Sequence, residues 1–367
     1  MAETATQETW SAAEIARAVN AALREAGGGR MAGVRIAYEF GKRVYVVQFV
    51  RGTWLCAATV DAATGAVLSI LGEGLPVAQT DTSGEVPVVV TARLGFHPVG
   101  DVQPAVEDPA AAYVATEAGV GVVRLFRDIG WTLVVEDHHP TGFAPTRRLA
   151  AVPGGVLATT ADGQVFRMDT AGRLQWHSRL PCRAHSITAD STGIRVLVAT
   201  DGGAVELDAR TGRRLGLFDG PARAAAYLPD GGRTVAGPRG DLRVTTAEGA
   251  TRWRMEQGEF PERLWVQHER IFVAGTGGLK EIAVGEGVVA RWSVPAAETV
   301  DHGVVINGSV FTVSGGSRLD RHGYATAGYH GRLARFVEPA AITVIEAGRR
   351  PWLLVGHQDG RLSAQPV

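Results

Sequence analysis

Val196-Leu197-Val198-Ala199, running through Thr200 into Asp201-Gly202, is a stretch of β-formers closed by a glycine-bearing turn, with a second strand after it. The same phrase occurs seven times. The other copies are Tyr113-Val114-Ala115-Thr116 before Gly119, Val156-Leu157-Ala158-Thr159 before Asp162-Gly163, and Thr234-Val235-Ala236 before Arg239-Gly240. They continue with Ile271-Phe272-Val273-Ala274 before Thr276-Gly277, Val310-Phe311-Thr312-Val313 before Ser314-Gly315, and Leu353-Leu354-Val355 before Asp359-Gly360. From one turn glycine to the next the steps are 44, 39, 38, 37, 38 and 45 residues. A period near forty built of strand, turn and strand implies the blades of a β-propeller, and seven copies imply seven blades.

Composition agrees with such a chain. Of 367 residues, 45 % are hydrophobic and 20 % charged, enough apolar material for a sizeable core. The 47 glycines suit a protein of many tight hairpins, which need residues tolerant of positive φ. A formal net charge of −1 provides no global field to draw in nucleic acid or an anionic bilayer, so electrostatic recognition has to be local. Cys56 and Cys182 lack the partner spacing of zinc or redox sites and read as reduced structural thiols. No basic segment followed by an apolar one opens the chain, and no apolar run is long enough to span a membrane, so a cytoplasmic location is expected.

The first 71 residues read as a small α+β unit. Ser11-Ala12-Ala13-Glu14 is a capping box, Ile15, Val19, Ala22 and Leu23 share one helical face, and Gly27-Gly28-Gly29 ends the helix. Strands are expected at Val34 to Phe40, Val44 to Val50, Trp54 to Val60 and Ala66 to Leu71. The last two, joined by Asp61-Ala62-Ala63-Thr64-Gly65, resemble the hairpin of PepSY-like domains. That resemblance, over about residues 11 to 71, implies an extracytoplasmic setting and a role in binding peptidases or other partners; the absence of a signal segment departs from the pattern.

Residues 72–86 shift to Gly, Pro, Thr, Ser and acids and read as a linker, leaving 87–367 for the propeller. Pro87 to Arg93 is a lone β-run before the first repeat, while the last repeat offers three strands only. Closure of the ring therefore requires Val88 to Ala92 as the missing outer strand, and Pro87 suits an edge position. A second phrase runs from Val165 to Trp176, with variants at Val205 to Gly212, Glu248 to Trp253 and Gly287 to Trp292. It resembles the PQQ-like propeller repeat, akin to WD40-like repeats, over about residues 110 to 365. The resemblance implies the fold; most such propellers bind no quinone, and no cofactor is expected. Trp176, Trp253 and Trp292 read as packing between neighbouring blades.

No phosphate loop, nucleophile elbow, zinc-protease motif or dinucleotide fingerprint is present, so catalysis is not the leading expectation. Arg148, Arg183, Arg223 and Arg263 each fall just before an expected innermost strand, at steps of 35, 40 and 40, which would set them around one rim. Guanidinium forks recognise carboxylates and phosphates, so this arc is the candidate site for an acidic partner or a small anion. Asp137-His138-His139, with His97 and His185, and the pair Asp301-His302 are the ionisable candidates for the channel mouth. No metal site is expected from them, since no fixed-spacing ligand pair accompanies them. Two functions follow as expectations: a non-enzymatic scaffold that engages a protein partner through the ring face, or an enzyme or small-molecule binder working at the channel. The lack of positive charge and of interleaved exposed aromatics argues against nucleic acid.

Overall fold

In the computed structural model the described residues are 12–28, 30–39, 42–51, 54–76, 89–94, 97–127, 131–143, 145–256, 259–267, 269–292, 299–315, 318–324, 329–333, 336 and 338–367. Ser11, the linker residues 77–86, Pro87 and Val88 lie outside them. The chain is mainly β, a β-propeller with a small α+β unit before it in sequence. It divides into two compact units, Met1–Ala92 with Leu125–Val135, and Arg93–Arg124 with Glu136–Val367. No described helix is long and apolar enough to cross a membrane.

The first unit holds α1 (Ala12–Glu25) and the antiparallel strands β1 (Arg30–Glu39), β2 (Lys42–Arg51), β3 (Trp54–Asp61) and β4 (Val67–Pro76) in sequential order. Ala18 and Ala22 of α1 pack on Val34, Tyr45, Val47, Phe49, Ala58 and Val60 of the sheet, the face that the helical spacing marks as apolar. The helix stops where the N–H of Gly28 returns to the Leu23 carbonyl at 2.8 Å, a Schellman closure made through Gly27 at φ 71°. β4 runs on to Pro76, past the end expected at Leu71. Beside β1, in parallel, lie Leu133 and Val134.

The second unit repeats one antiparallel motif, four strands in sequence order. Its first set is β6 (Val99–Pro104), β7 (Ala111–Thr116), and the inner parts of β8 (Gly119–Arg127) and β9 (Trp131–Pro140); β5 (Val90–Arg93) comes just before. Separate sheets follow: β10 to β13 (Thr146–Val152, Gly155–Thr160, Gln164–Asp169, Leu174–Arg179) and β14 to β17 (Ala184–Ala189, Arg195–Thr200, Gly203–Asp208, Arg214–Asp219). Next come β18 to β21 (Ala224–Tyr227, Arg233–Ala236, Asp241–Thr245, Thr251–Glu256) and β22 to β25 (Pro261–Gln267, Arg270–Gly275, Gly278–Ala283, Gly287–Trp292). The remaining two are β26 to β29 (Val300–Ile306, Ser309–Ser314, Arg318–Gly323, Tyr329–Arg332) and β30 to β32 (Pro339–Ala347, Arg350–His357, Arg361–Pro366). The last sheet has the order β30-β31-β32-β5. There the second unit begins, with the N–H of Leu94 donating to the Gly360 carbonyl at 3.1 Å and Arg93 reaching the Asp359 carbonyl.

Burial follows position in the set. Second strands such as β7, β11 and β27 are buried at every residue because neighbouring sheets cover both of their faces. Fourth strands such as β13, β17 and β21 alternate between exposed and half-buried, as an outer edge does. Tryptophans tie consecutive sets together. The indole N–H of Trp176 donates to the Ala209 carbonyl at 3.1 Å, and that of Trp292, wholly buried between Phe272 and Tyr324, donates to Gly323 at 3.1 Å.

Candidate functional site

Among the described residues, the first strands of the successive sets line one cavity of about 500 Å³, contributing Asp101, Leu149, Ile187, Tyr227, Leu264, Val304 and Ile342 among others. This is the central channel. Where these strands begin, a second cavity of about 170 Å³ is lined by Arg147, Arg148, Arg183, His185, Arg223 and Glu262, with Gly100, Ala161 and Ala184 completing the wall.

A recurrent irregularity builds this mouth. The pairing of first with second strands slips between Val99 and Asp101, Thr146 and Arg148, Ala184 and Ser186, Pro261 and Arg263, Val300 and His302, and Pro339 and Ala341. At each slip one residue is left unpaired: Gly100, Arg147, His185, Glu262, Asp301 and Ala340. A bulge breaks the strict alternation of sides and re-aims a side chain. Arg147 and Arg148, neighbours in sequence, consequently line the same cavity.

Arg148 is held by carbonyls, its Nη1 donating to Gly100 at 3.3 Å and its Nε to His185 at 3.4 Å. Burial, and then the nearby Arg263 guanidinium, lower its pKa to about 10, which leaves it charged at neutral pH. Arg223 lies over the Phe260 ring at 4.4 Å, a cation–π contact, and directs Nη1 at Nδ1 of His185 at 3.0 Å. Since a guanidinium only donates, Nδ1 accepts, and the Nε2–H of His185 is free to donate to Asp201 at 2.6 Å. Burial is the main cause that pushes the His185 pKa down; the bond to Asp201 opposes it and Arg223 adds to it. Arg147 and Arg183 are exposed. Among the described residues, none of Arg147, Arg148, Arg183 and Arg223 has a carboxylate within 4 Å.

Three of the four arginines in the expected arc thus meet at this mouth, and the fourth does not line it. Arg183 and Arg223 directly precede their strands, whereas Arg148 and Arg263 stand inside theirs, one residue past the bulge. Arg263 turns into the channel and pairs with Asp101 of the first set at 2.5 Å. Asp101 is also the acceptor for the backbone N–H groups of Val102 at 2.8 Å and Leu149 at 3.0 Å.

Asp137 and His138 are not brought to the channel, because β9 is the fourth strand of its set and lies farthest from the first. His138 approaches Thr116 at 3.3 Å and Asp137 receives the His138 N–H, which makes them a local cluster near the end of β9; His97 pairs weakly with Glu117. Asp301 is the bulged residue of β26 and acts electrostatically on Arg148. His302 is buried and its pKa is held well below the usual value, first by burial and then by Arg263 and Arg148. No cluster of three metal-ligating side chains occurs among the described residues. Sequence spacing missed Arg147, Glu262 and Asp101. The doublet Arg147-Arg148 was the visible trace of the bulge; Asp101, a lone acid, left none.

No protein-family model matches the chain, and no curated protein matches it either. Solved structures do. The β-propeller domain of Cps50 (Swd1) from Myceliophteria thermophila superposes with a TM-score of 0.65 at 11 % identity, covering 76 % of this chain and 98 % of that one. The WD40 β-propeller domain of Doa1 gives 0.60 at 11 % identity, over 75 % and 95 %. The second unit therefore has the fold of WD40-type β-propellers, a likeness of fold alone.

Proposed function

We propose that the protein is a non-enzymatic interaction scaffold, a seven-bladed ring of PQQ-like and WD40-like repeats closed by the strand at residues 88–92, following a PepSY-like N-terminal domain. The ring takes an acidic segment of a protein partner at the channel mouth. One observation carries this reading: four arginines line one concavity, and among the described residues none of them has a carboxylate within 4 Å. Arginine forks on a rim that lie beyond ion-pair distance of the protein's own carboxylates are suited to external carboxylates or phosphates.

The test is purification of the tagged protein from its own cells beside an Arg183→Glu/Arg223→Glu form. A stoichiometric partner present with the first and lost with the second is the expected result. A partner held equally by both would place the contact elsewhere and overturn the role given to the mouth. A second reading, an enzyme or small-molecule binder, draws on the 500 Å³ channel, which falls within the roughly 300–1,000 Å³ of small-molecule sites. Its signature is a protein that purifies alone with a small molecule retained.

A further inference from the structure

The cavity at the mouth, about 170 Å³, is smaller than the roughly 300–1,000 Å³ that accommodate a drug-sized ligand or cofactor, so its size suits one charged group. Four arginines and one acid, Glu262, line it, and Glu262, Asp101 and Asp301 act electrostatically on Arg148. Among the described residues Glu262 likewise has no cationic group within 4 Å. His185 adds no charge at neutral pH, its Nδ1 being occupied as the acceptor for Arg223. Among the lining residues positive charge exceeds negative, and Asp301, which acts on Arg148, and Asp201, bonded to His185, lower that surplus without cancelling it.

Direction matters as much as sum. Arg147 and Arg148 approach from β10, Arg183 from the start of β14 and Arg223 from the start of β18, three separate sheets. A carboxylate presents two oxygens in one plane and a single charge. A phosphate monoester presents three acceptor oxygens pointing apart and carries about −1.5 to −2 at neutral pH. We propose that the mouth is a binding site for a phosphate monoester dianion. The source rests on the scaffold reading, in which the group is a phosphorylated side chain of the partner; a free small phosphate ester is the other source of the same chemistry.

Calorimetric titration of the full chain at low ionic strength, with O-phosphoserine as probe and serine and glutamate as controls, reads the site. The expected result is saturable one-to-one binding of O-phosphoserine, none of serine, and glutamate weaker by about tenfold or more, the worth of one charge-assisted hydrogen bond. Arg183→Gln and Arg223→Gln should each weaken O-phosphoserine by about tenfold or more, and Glu262→Gln should strengthen it severalfold. Arg183 is exposed, so its replacement should leave the melting temperature in place, which separates lost affinity from lost fold. Equal binding of glutamate and O-phosphoserine, no binding of either at millimolar concentration, or affinity unchanged in Arg183→Gln would overturn the proposal.

Phosphatase treatment of a co-purified partner separates this inference from the scaffold reading. Release of the partner supports a phosphorylated side chain as the source. A partner that stays bound after treatment, yet is lost in the double-arginine form, overturns the phosphate inference while the scaffold reading stands. Tight O-phosphoserine binding by a protein that purifies alone supports the site with a free ester as its source.

Discussion

Asp101 does three things at once: it ends in an ion pair with Arg263, accepts the Leu149 N–H from the neighbouring sheet, and caps the Val102 N–H of its own strand. It is 1 % exposed, so loss of a partner leaves a buried polar group unpaired. Asp101→Asn removes the charge while keeping the shape, and should cost about 3 kcal/mol in urea unfolding, because Arg263 is left without its counter-ion. Asp101→Leu with Arg263→Met should cost less than the single change, since no uncompensated charge remains. Tyr113 supports a prediction about pH. Burial first, and the carboxylates of Glu107 and Asp169 next, push its phenol up to about 12, against 10 in the unfolded chain. Below pH 10 the phenol is neutral in both states and its contribution is fully present. Between about 10 and 12 the unfolded chain releases the proton and the folded protein keeps it, so stability falls as pH rises. Comparing urea unfolding at about pH 8 and about pH 11 should show a loss of about 1.4 kcal/mol that Tyr113→Phe reduces. An identical loss in Tyr113→Phe would assign it to other groups, of which Tyr227, raised by burial and by Glu206, is the next to examine.

At the scale of elements, the phrase Asp-Ala-x-Thr-Gly proves to be a turn. In the β16–β17 hairpin, Oδ1 of Asp208 accepts the N–H groups of Arg210 at 3.0 Å and Thr211 at 2.8 Å and the Thr211 hydroxyl at 2.8 Å, while Gly212 at φ 71° closes back on the Asp208 carbonyl. In the β3–β4 hairpin, Asp61 does the same with Ala63, Thr64 and Gly65 at φ 72°. Identical chemistry in both units explains why one phrase pointed toward two different domain resemblances: it encodes a hairpin close, which either fold can use. The surroundings differ. A Cβ on Gly65 meets nothing within 4 Å, whereas one on Gly212 meets the Trp176 ring at 2.7 Å. Gly65→Ala should therefore cost only the left-handed strain, about 1 kcal/mol, and Gly212→Ala about 2–4 kcal/mol, because Trp176 must leave its place over the turn. Amide exchange of the flanking strands, β3–β4 in one case and β16–β17 in the other, measures each locally. Equal effects would mean that Trp176 does not depend on the turn beneath it.

For the molecule as a whole, a ring of sheets removes exposed edges only if its first and last parts of chain meet. The bond from Leu94 to Gly360 is where the second unit meets its own end. Leu94→Pro deletes that N–H and should lower stability by about 1–3 kcal/mol in urea unfolding, with the fastest amide exchange appearing in β32. No change would show that the fourth place of the last sheet does not hold the ring together. The sequence expectation of closure by Val88 to Ala92 rests on a last copy with three strands needing a fourth, for which the lone β-run before the first repeat is the available segment.

The sequence by itself determined the period, the second strands and the turns. Each recurring phrase is the second strand of its set, covered by sheets on both faces, and such a strand reads as a near-continuous apolar run. The glycines that follow mark turns whose backbone requires them. Tertiary structure alone decided the mouth. One side of the first strands faces the channel, and their bulges shift side chains out of the register that spacing assumes. Four arginines at nearly even steps therefore look equivalent in sequence while only three of them line the cavity. The fourth is diverted by Asp101, a carboxylate far away in the chain, because pairing between buried charges depends on distance in space, to which local sequence is blind.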